Sequence, residues 1–519
     1  TNAGNSLTSG GSNIMIGNGV ATTLSTGGSN VIIGTIAGTA VSEGGKNILI
    51  GREAGKDISS GDSNVAIGYQ ALYVENTGTY AVSIGYRSGY KTRLSAQNEN
   101  VFIGSNAGRE NTDGNDNVYV GMGAGYGISD ENPSNNVAVG NNALRYARNN
   151  NNTVIGHEAG FYATGSQNTF VGSDAGKGGT TSAPFSSGGS NVALGFEALT
   201  AFTTGNSNVA VGYEAGEDIT TGYYNTLVGY EAGENLTTGV SNVFMGYEAG
   251  SGKIASTGAI AIGYRAGLPS AGSYDVFIGF EAGAQTKGGG NLGIGRQAGR
   301  GSNGVSEYGG TSGSFNTSVG NYAGQFLLGS NNAMFGYQAG YYATGSSNTF
   351  IGSEAGKGGT TSAPYSSGES NVAMGYQALK GFTTGGSNTA VGFYSGKSIT
   401  TATSNTLMGI FSGDALTTGG ENTAIGHSAL SAEDTGTRNV AVGNQAFIKL
   451  NYDGTGYNTG LGYGAGYHNV LGVSNTYLGG QAGLNATGSY NTFVGHLAGY
   501  GGNTSAPFSS GENNTALGY

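Results

Sequence analysis

Six acidic residues recur at one position of a repeating pattern: Glu158, Asp174, Glu197, Glu214, Glu231 and Glu248. Each stands two residues after a glycine that closes an Asn-x-x-x-Gly core, as in Asn208-Val209-Ala210-Val211-Gly212 or a variant of it. If successive cores stack as adjacent strands, these carboxylates stand ~4.8 Å apart. Such neighbours repel by roughly 0.9 kcal/mol in water and about 3.5 kcal/mol at an effective dielectric of 20. Two arrangements answer that repulsion. One is full solvation; the other is bridging by a hard cation such as calcium (Ca2+), with Glu197, Glu214, Glu231 and Glu248 as the candidate ligands. The spacing also approaches the ~5–5.5 Å of a retaining glycosidase pair. A uniform column gives no acid and base in different environments, so hydrolysis is not expected.

The position just after the same glycine is aromatic in six consecutive copies: Phe196, Tyr213, Tyr230, Tyr247, Tyr264 and Phe280. A ladder of rings could contact a surface glycan; the plainer reading is self-stacking that stiffens the array. Gly293-Ile294-Gly295-Arg296-Gln297-Ala298 imitates a dinucleotide fingerprint, but it is the repeat itself and no helix pattern follows. Three of the four histidines, His157, His427 and His496, lie far apart at one repeat position, and His468 stands alone. No Ser/His/Asp arrangement or metal cluster is built from them, and the chain is read as not an enzyme.

What positions these columns is the repeat. Counting from the closing glycine as position 0, there are 29 copies, the first five at Gly17, Gly34, Gly51, Gly68 and Gly85. The interval is 17 residues there, and mostly 16, 17 or 19 elsewhere, with a few of 23 and one of 25. A short fixed period means stacked units, each too small to bury a core alone. Position −1 is always Ile, Val, Leu, Met or Phe, and −3 is mostly Val, Ile or Thr. These predict a short strand whose −3/−1 face lies in the core. The glycine supplies a bend, Ala or Ser at +3 a tight corner, and the polar remainder turns with a second, shorter strand. The fold class is therefore all-β: a parallel β-solenoid or β-roll of about 29 short coils with a period near 17 residues.

Position −2 is never charged and never Asn or Gln; Phe102, Tyr119, Phe170, Phe244, Phe277, Phe350 and Phe493 are examples. A strand apolar on both sides is normally covered on both sides. The expectation is that these seven form an oligomer interface with further copies of the chain, a homotrimer bringing three such columns together. Asn at −4, replaced by Ala81, Ala259 and Asp275, is expected to form a hydrogen-bonded ladder.

The array reads as one continuous solenoid over 1–519, with a larger block near 140–246 repeated near 320–426. Tyr162-Ala163-Thr164-Gly165, for instance, returns as Tyr342-Ala343-Thr344-Gly345. Three coils carry side-loop insertions around Ala183-Pro184-Phe185, Ala363-Pro364-Tyr365 and Ala506-Pro507-Phe508, and the longest insertion runs from Gly301 to Gly313 with Tyr308 in it. Joining Tyr519 to Thr1 would give a glycine interval of 18, nearly in phase. Either the chain is a window of a longer array or copies stack head to tail into a filament. An exposed sheet edge at a solenoid end recruits such partners.

Composition narrows the role. Glycine is 104 of 519 residues without an every-third spacing, charged residues are 10%, and there is no cysteine. A net charge of −11 discourages nucleic-acid binding, and the lysines and arginines read as scattered, with no basic stripe. No apolar run approaches the ~20 residues of a membrane span.

The Asn-Val-Ala-Ile-Gly core from Asn64 to Gly68, with the small Ala71 three positions on, resembles the head repeats of trimeric autotransporter adhesins, the YadA-like family. The resemblance implies a left-handed parallel β-roll that trimerises through this strand. Similar arrays also look like phage tail-fibre shafts. The expected function is a non-catalytic extracellular structural or adhesive fibre at a cell surface, with a glycan or host-cell receptor as partner. The alternative is the shaft of a phage tail fibre or receptor-binding protein on a virion surface.

Overall fold

The computed structural model describes residues 2–93, 99–128, 131–180, 185–269, 272–301, 313–360, 365–502 and 509–519. Ala183, Pro184, Tyr308, Ala363, Pro364, Ala506, Pro507 and Phe508 of the insertions lie outside them. The chain divides into two compact units, Thr1–Gly258 and Ala259–Tyr519. Unit one holds strands β1 (Ile14–Ile16) to β14 (Val243–Met245), and unit two β15 (Ile260–Ile262) to β29 (Thr515–Leu517). Every strand is three residues long and parallel to its neighbour. The fold is an all-β parallel solenoid, one strand per coil and no helix among the described residues.

Register is set by the core motif. In β12 (Val209–Val211) the residues pair as Val209↔Thr226, Ala210↔Leu227 and Val211↔Val228. Identical positions thus lie directly above one another, and every column of the sequence pattern becomes a column in space. Among the described residues the expected second strand is present only as isolated parallel bridges, such as Tyr223↔Val240 and Ala343↔Ser366. The turns nevertheless bond from coil to coil: Glu214 N–H donates to the Phe196 carbonyl at 2.9 Å, and Thr220 N–H to that of Thr237 at 2.9 Å.

The strand faces are the reverse of the expectation. In β12, Ala210 is buried while Val209 and Val211 remain half-exposed, and the same pattern recurs along both units. Phe102, Tyr119, Phe170, Phe244, Phe277 and Phe350 are 0% exposed and Phe493 6%, all inside their own coil. They are core, with no surface left for a partner, so their assignment to an oligomer interface is corrected. The cause is the width of the coil. Its interior admits one side chain from the strand, which packs with the +3 alanine, the +4 residue and the +7 residue: Leu49 and Ile58 both crowd the Cβ position of Gly55, in one core cluster with Ala54.

The glycine at 0 has a separate reason. Gly212 has φ +141°, and a β-carbon there would stand 2.2 Å from the carbonyl oxygen of Gly229 in the next coil. Coils this close exclude any side chain at that point.

The asparagine column forms the expected ladder. Asn225 Oδ1 accepts from the backbone N–H of Asn242 at 3.0 Å, and its amide nitrogen donates to the Gly239 carbonyl at 2.8 Å. The same two bonds recur at Asn47, Asn208 and Asn405. Each amide is fully buried or nearly so, and its own bonds satisfy it.

Candidate functional site

The ring ladder of unit one stacks as its spacing predicts. Centroids lie 5.3 Å apart for Phe196–Tyr213, 5.1 Å for Tyr213–Tyr230 and 4.9 Å for Tyr230–Tyr247, with rings within 15° of parallel. In unit two Tyr264 and Phe280 stack at 5.0 Å. Rings stacked this way cover each other's faces and turn edges outward. The column is thus built for self-stacking more than for gripping a pyranose face. Hydrogen bonds to Glu214 and Glu231, ahead of burial, push the Tyr213 and Tyr230 hydroxyls up to about 12.

Of the four calcium candidates, only Glu214 joins a close acidic group among the described residues: its carboxylate, with those of Glu217 and Glu234, offers oxygens within 4.8 Å of one another. Glu197, Glu231 and Glu248 continue the column without joining that group. Burial, and then the charges of Glu214, Asp218, Glu197 and Glu234, raise Glu217 to about 7. A second group, His157, Glu158 and Asp174, already holds a cation. Lys177 Nζ sits 2.8 Å from both Glu158 and Asp174. Burial would raise the Asp174 carboxyl, but its bonds to Lys177 and Ser173 outweigh that and hold it below its usual range.

Three of the 20 lysines and arginines share a column with aromatic rings once folded. Position +5 carries Lys56, Tyr73, Tyr90, Arg109, Tyr126, Arg145 and Phe161 in seven consecutive coils of unit one. Lys56 Nζ lies 4.7 Å from the Tyr73 centroid, and Tyr73 and Tyr90 stack at 5.1 Å. The Arg109 guanidinium lies 5.9 Å from Tyr90 and 5.3 Å from Tyr126, and Arg145 lies 4.9 Å from Tyr126 and 5.7 Å from Phe161. Each contact is a cation–π approach within the useful ~6 Å. This column escapes a reading along the chain, because its members are 16 to 19 residues apart. Tabulating +5 against the closing glycine would have exposed it.

The column ends at four half-buried rings. Tyr146 stacks on Tyr162 at 5.7 Å and on Phe185 at 4.6 Å, and Phe161 stands edge-on to Tyr146 at 5.4 Å. The duplicated block rebuilds this cluster in unit two from Phe326, Tyr341, Tyr342 and Tyr365. Its corresponding centroid distances are 5.5, 4.9 and 5.3 Å. Three of the four rings have exchanged Phe and Tyr, yet the packing is unchanged.

These observations define a class, the parallel β-solenoid repeat proteins, with columns of like side chains as its surface features. Compared with known protein families and with curated proteins, the chain matches none. No helix among the described residues is long and apolar enough to cross a membrane.

Proposed function

We propose that the chain is a non-catalytic structural element of an extracellular fibre, whose copies associate, as a trimer, through the outer face of the strand sheet. The observation that carries this is the −3/−1 face. Its −1 column is apolar in every coil, and its −3 column is Val, Ile, Leu or Ala in 17 coils and Thr in 12. The −1 side chains are left open: Ile103 is 37% exposed, Leu194 46%, Met245 40%, Met374 40% and Leu461 44%. Contiguous apolar surface of this extent marks an interaction site. At ~4.8 Å per coil and ~3.3 Å per residue, the whole strand strip, threonines included, measures about 700 Å² in each unit, against the ~800 Å² per partner of a standard stable interface. The requirement that both faces of the strand be covered therefore still holds, transferred from −2 to −3 and −1. The resemblance to adhesin head repeats supports the same role.

The test is mass in solution by light scattering. The unaltered chain is expected to run as a trimer, and Leu194→Lys with Met245→Lys to run as a monomer with its melting temperature little changed. A monomeric unaltered chain at micromolar concentration removes the proposal.

A further inference from the structure

We infer that the +5 edge of unit one, from Lys56 to the ring cluster at Tyr146, is a docking face for an acidic polysaccharide. The inference is independent of self-association, which uses the strand face.

The first ground is an internal comparison. The two ring clusters have the same geometry, but their surroundings differ in charge. Arg145 and Arg148 stand beside the cluster of unit one, where unit two has Gln325 and Leu328. The rings of unit two pack to within a few tenths of an ångström of the same distances with neither guanidinium. The fold therefore does not require the two arginines. They are an addition to a scaffold that forms without them.

The second ground is an unpaired guanidinium. The Arg148 guanidinium lies 5.6 Å from the Phe185 centroid and has no ion-pair partner among the described residues. An arginine held against a ring without a carboxylate beside it can receive an anion at its outer nitrogens, and a planar carboxylate suits a guanidinium.

The third ground is spacing. Lys56 and Arg109 are three coils apart and Arg109 and Arg145 two, which is about 14 Å and about 10 Å. Each strand of a nucleic-acid duplex carries a phosphate every ~3.4 Å of axis and would leave most of its charge unmatched. The intervals between the cations are filled instead by Tyr73, Tyr90 and Tyr126, whose edges face outward. A polysaccharide with neutral sugars between its carboxylates matches an edge on which cations are separated by uncharged rings.

The test uses the full chain with hyaluronate, whose carboxylates fall on alternate sugars, as probe, neutral dextran as control and oligothymidylate as competitor, read by titration calorimetry. Hyaluronate is expected to bind, more weakly as salt rises, and Arg145→Gln with Arg148→Leu to lose at least about tenfold in affinity at an unchanged melting temperature. The reciprocal variant, Gln325→Arg with Leu328→Arg, is expected to add a second site per chain, and it reads the same geometry should the first variant fold poorly. Failure of the unaltered chain to bind hyaluronate overturns the inference. So does undiminished affinity in a folded Arg145→Gln/Arg148→Leu variant, an unchanged stoichiometry in the reciprocal one, or tighter binding of oligothymidylate.

Discussion

Phe244 and Gly250 share one volume. A β-carbon on Gly250 would come within 2.4 Å of the Phe244 ring, and the same clash recurs for Phe277 with Gly283 and Phe350 with Gly356. Where the strand instead contributes alanine, the +4 position can fill the space: Ala193 goes with Leu199, Ala373 with Leu379 and Ala424 with Leu430, all fully buried. Where both are small, as at Ala210 and Gly216, the fully buried Ile219 at +7 lies against the gap. A coil has room for at most one large side chain from this pair.

Gly250→Leu alone is therefore expected to destabilise the chain through overpacking, by about 1–3 kcal/mol or more. Phe244→Ala alone should cost about 3–5 kcal/mol through the cavity it leaves. The two together should cost about 1–3 kcal/mol less than their sum, because the pair then reproduces Ala193 and Leu199. The left-handed backbone is no obstacle, since Leu199 already has φ +56°. Denaturant unfolding of the four proteins checks this; strict additivity would refute a shared volume.

Asn225→Ala should cost about 2–5 kcal/mol, since it leaves the Gly239 carbonyl and the Asn242 N–H buried without their partner. Asp275 shows which half of the amide is the acceptor, because its Oδ1 takes the Asn291 N–H at 3.0 Å. Amide hydrogen exchange at Asn242 should quicken in the Asn225→Ala protein. Unchanged protection there would mean that the ladder adds nothing to local stability.

Glu217 makes stability depend on pH. Its carboxyl is raised from 4.5 to about 7 in the folded chain, so the folded state holds the proton more tightly than the unfolded one. Its contribution is complete below pH 4.5 and is lost as pH rises through about 7. Comparing the unaltered chain with Glu217→Gln isolates it: the variant's relative stability should rise between pH 5 and pH 8, and less so in about 1 M salt. A pH-independent difference between the two proteins would count against the raised carboxyl.

Gly212→Ala should be more damaging than an alanine at most surface positions, because the added methyl group meets the Gly229 carbonyl oxygen of the next coil. Two adjacent coils must separate or shift to admit it. Thermal unfolding followed at β-sheet wavelengths reads the loss, and a melting point within a degree of the unaltered chain would contradict the close approach.

Much of this was readable from the residues. The glycine interval gave the stacking, the β-branched columns the strands, and the asparagine column the ladder. The face of the strand was not, because alternation with period two says which residues share a side and not which side is inside. Val209, Ala210 and Val211 are apolar on both. The deciding signal lay six residues further on: Phe244 is answered by Gly250, Ala193 by Leu199. Side chains that trade volume must touch, and that places −2 within the coil. The cation–aromatic edge was missed for a related reason, since Arg109 and Tyr126 become neighbours only after a whole turn of chain has closed.

The strand register ignores how much chain lies between strands. Val171 and Leu194 pair as Val211 and Val228 do, although 23 residues separate the first two and 17 the second. The molecule is in this sense a ruler. Whole graduations can be inserted or deleted by recombination between like turns, as the block repeated 180 residues later illustrates, and the number of coils can change over generations without a new fold being found.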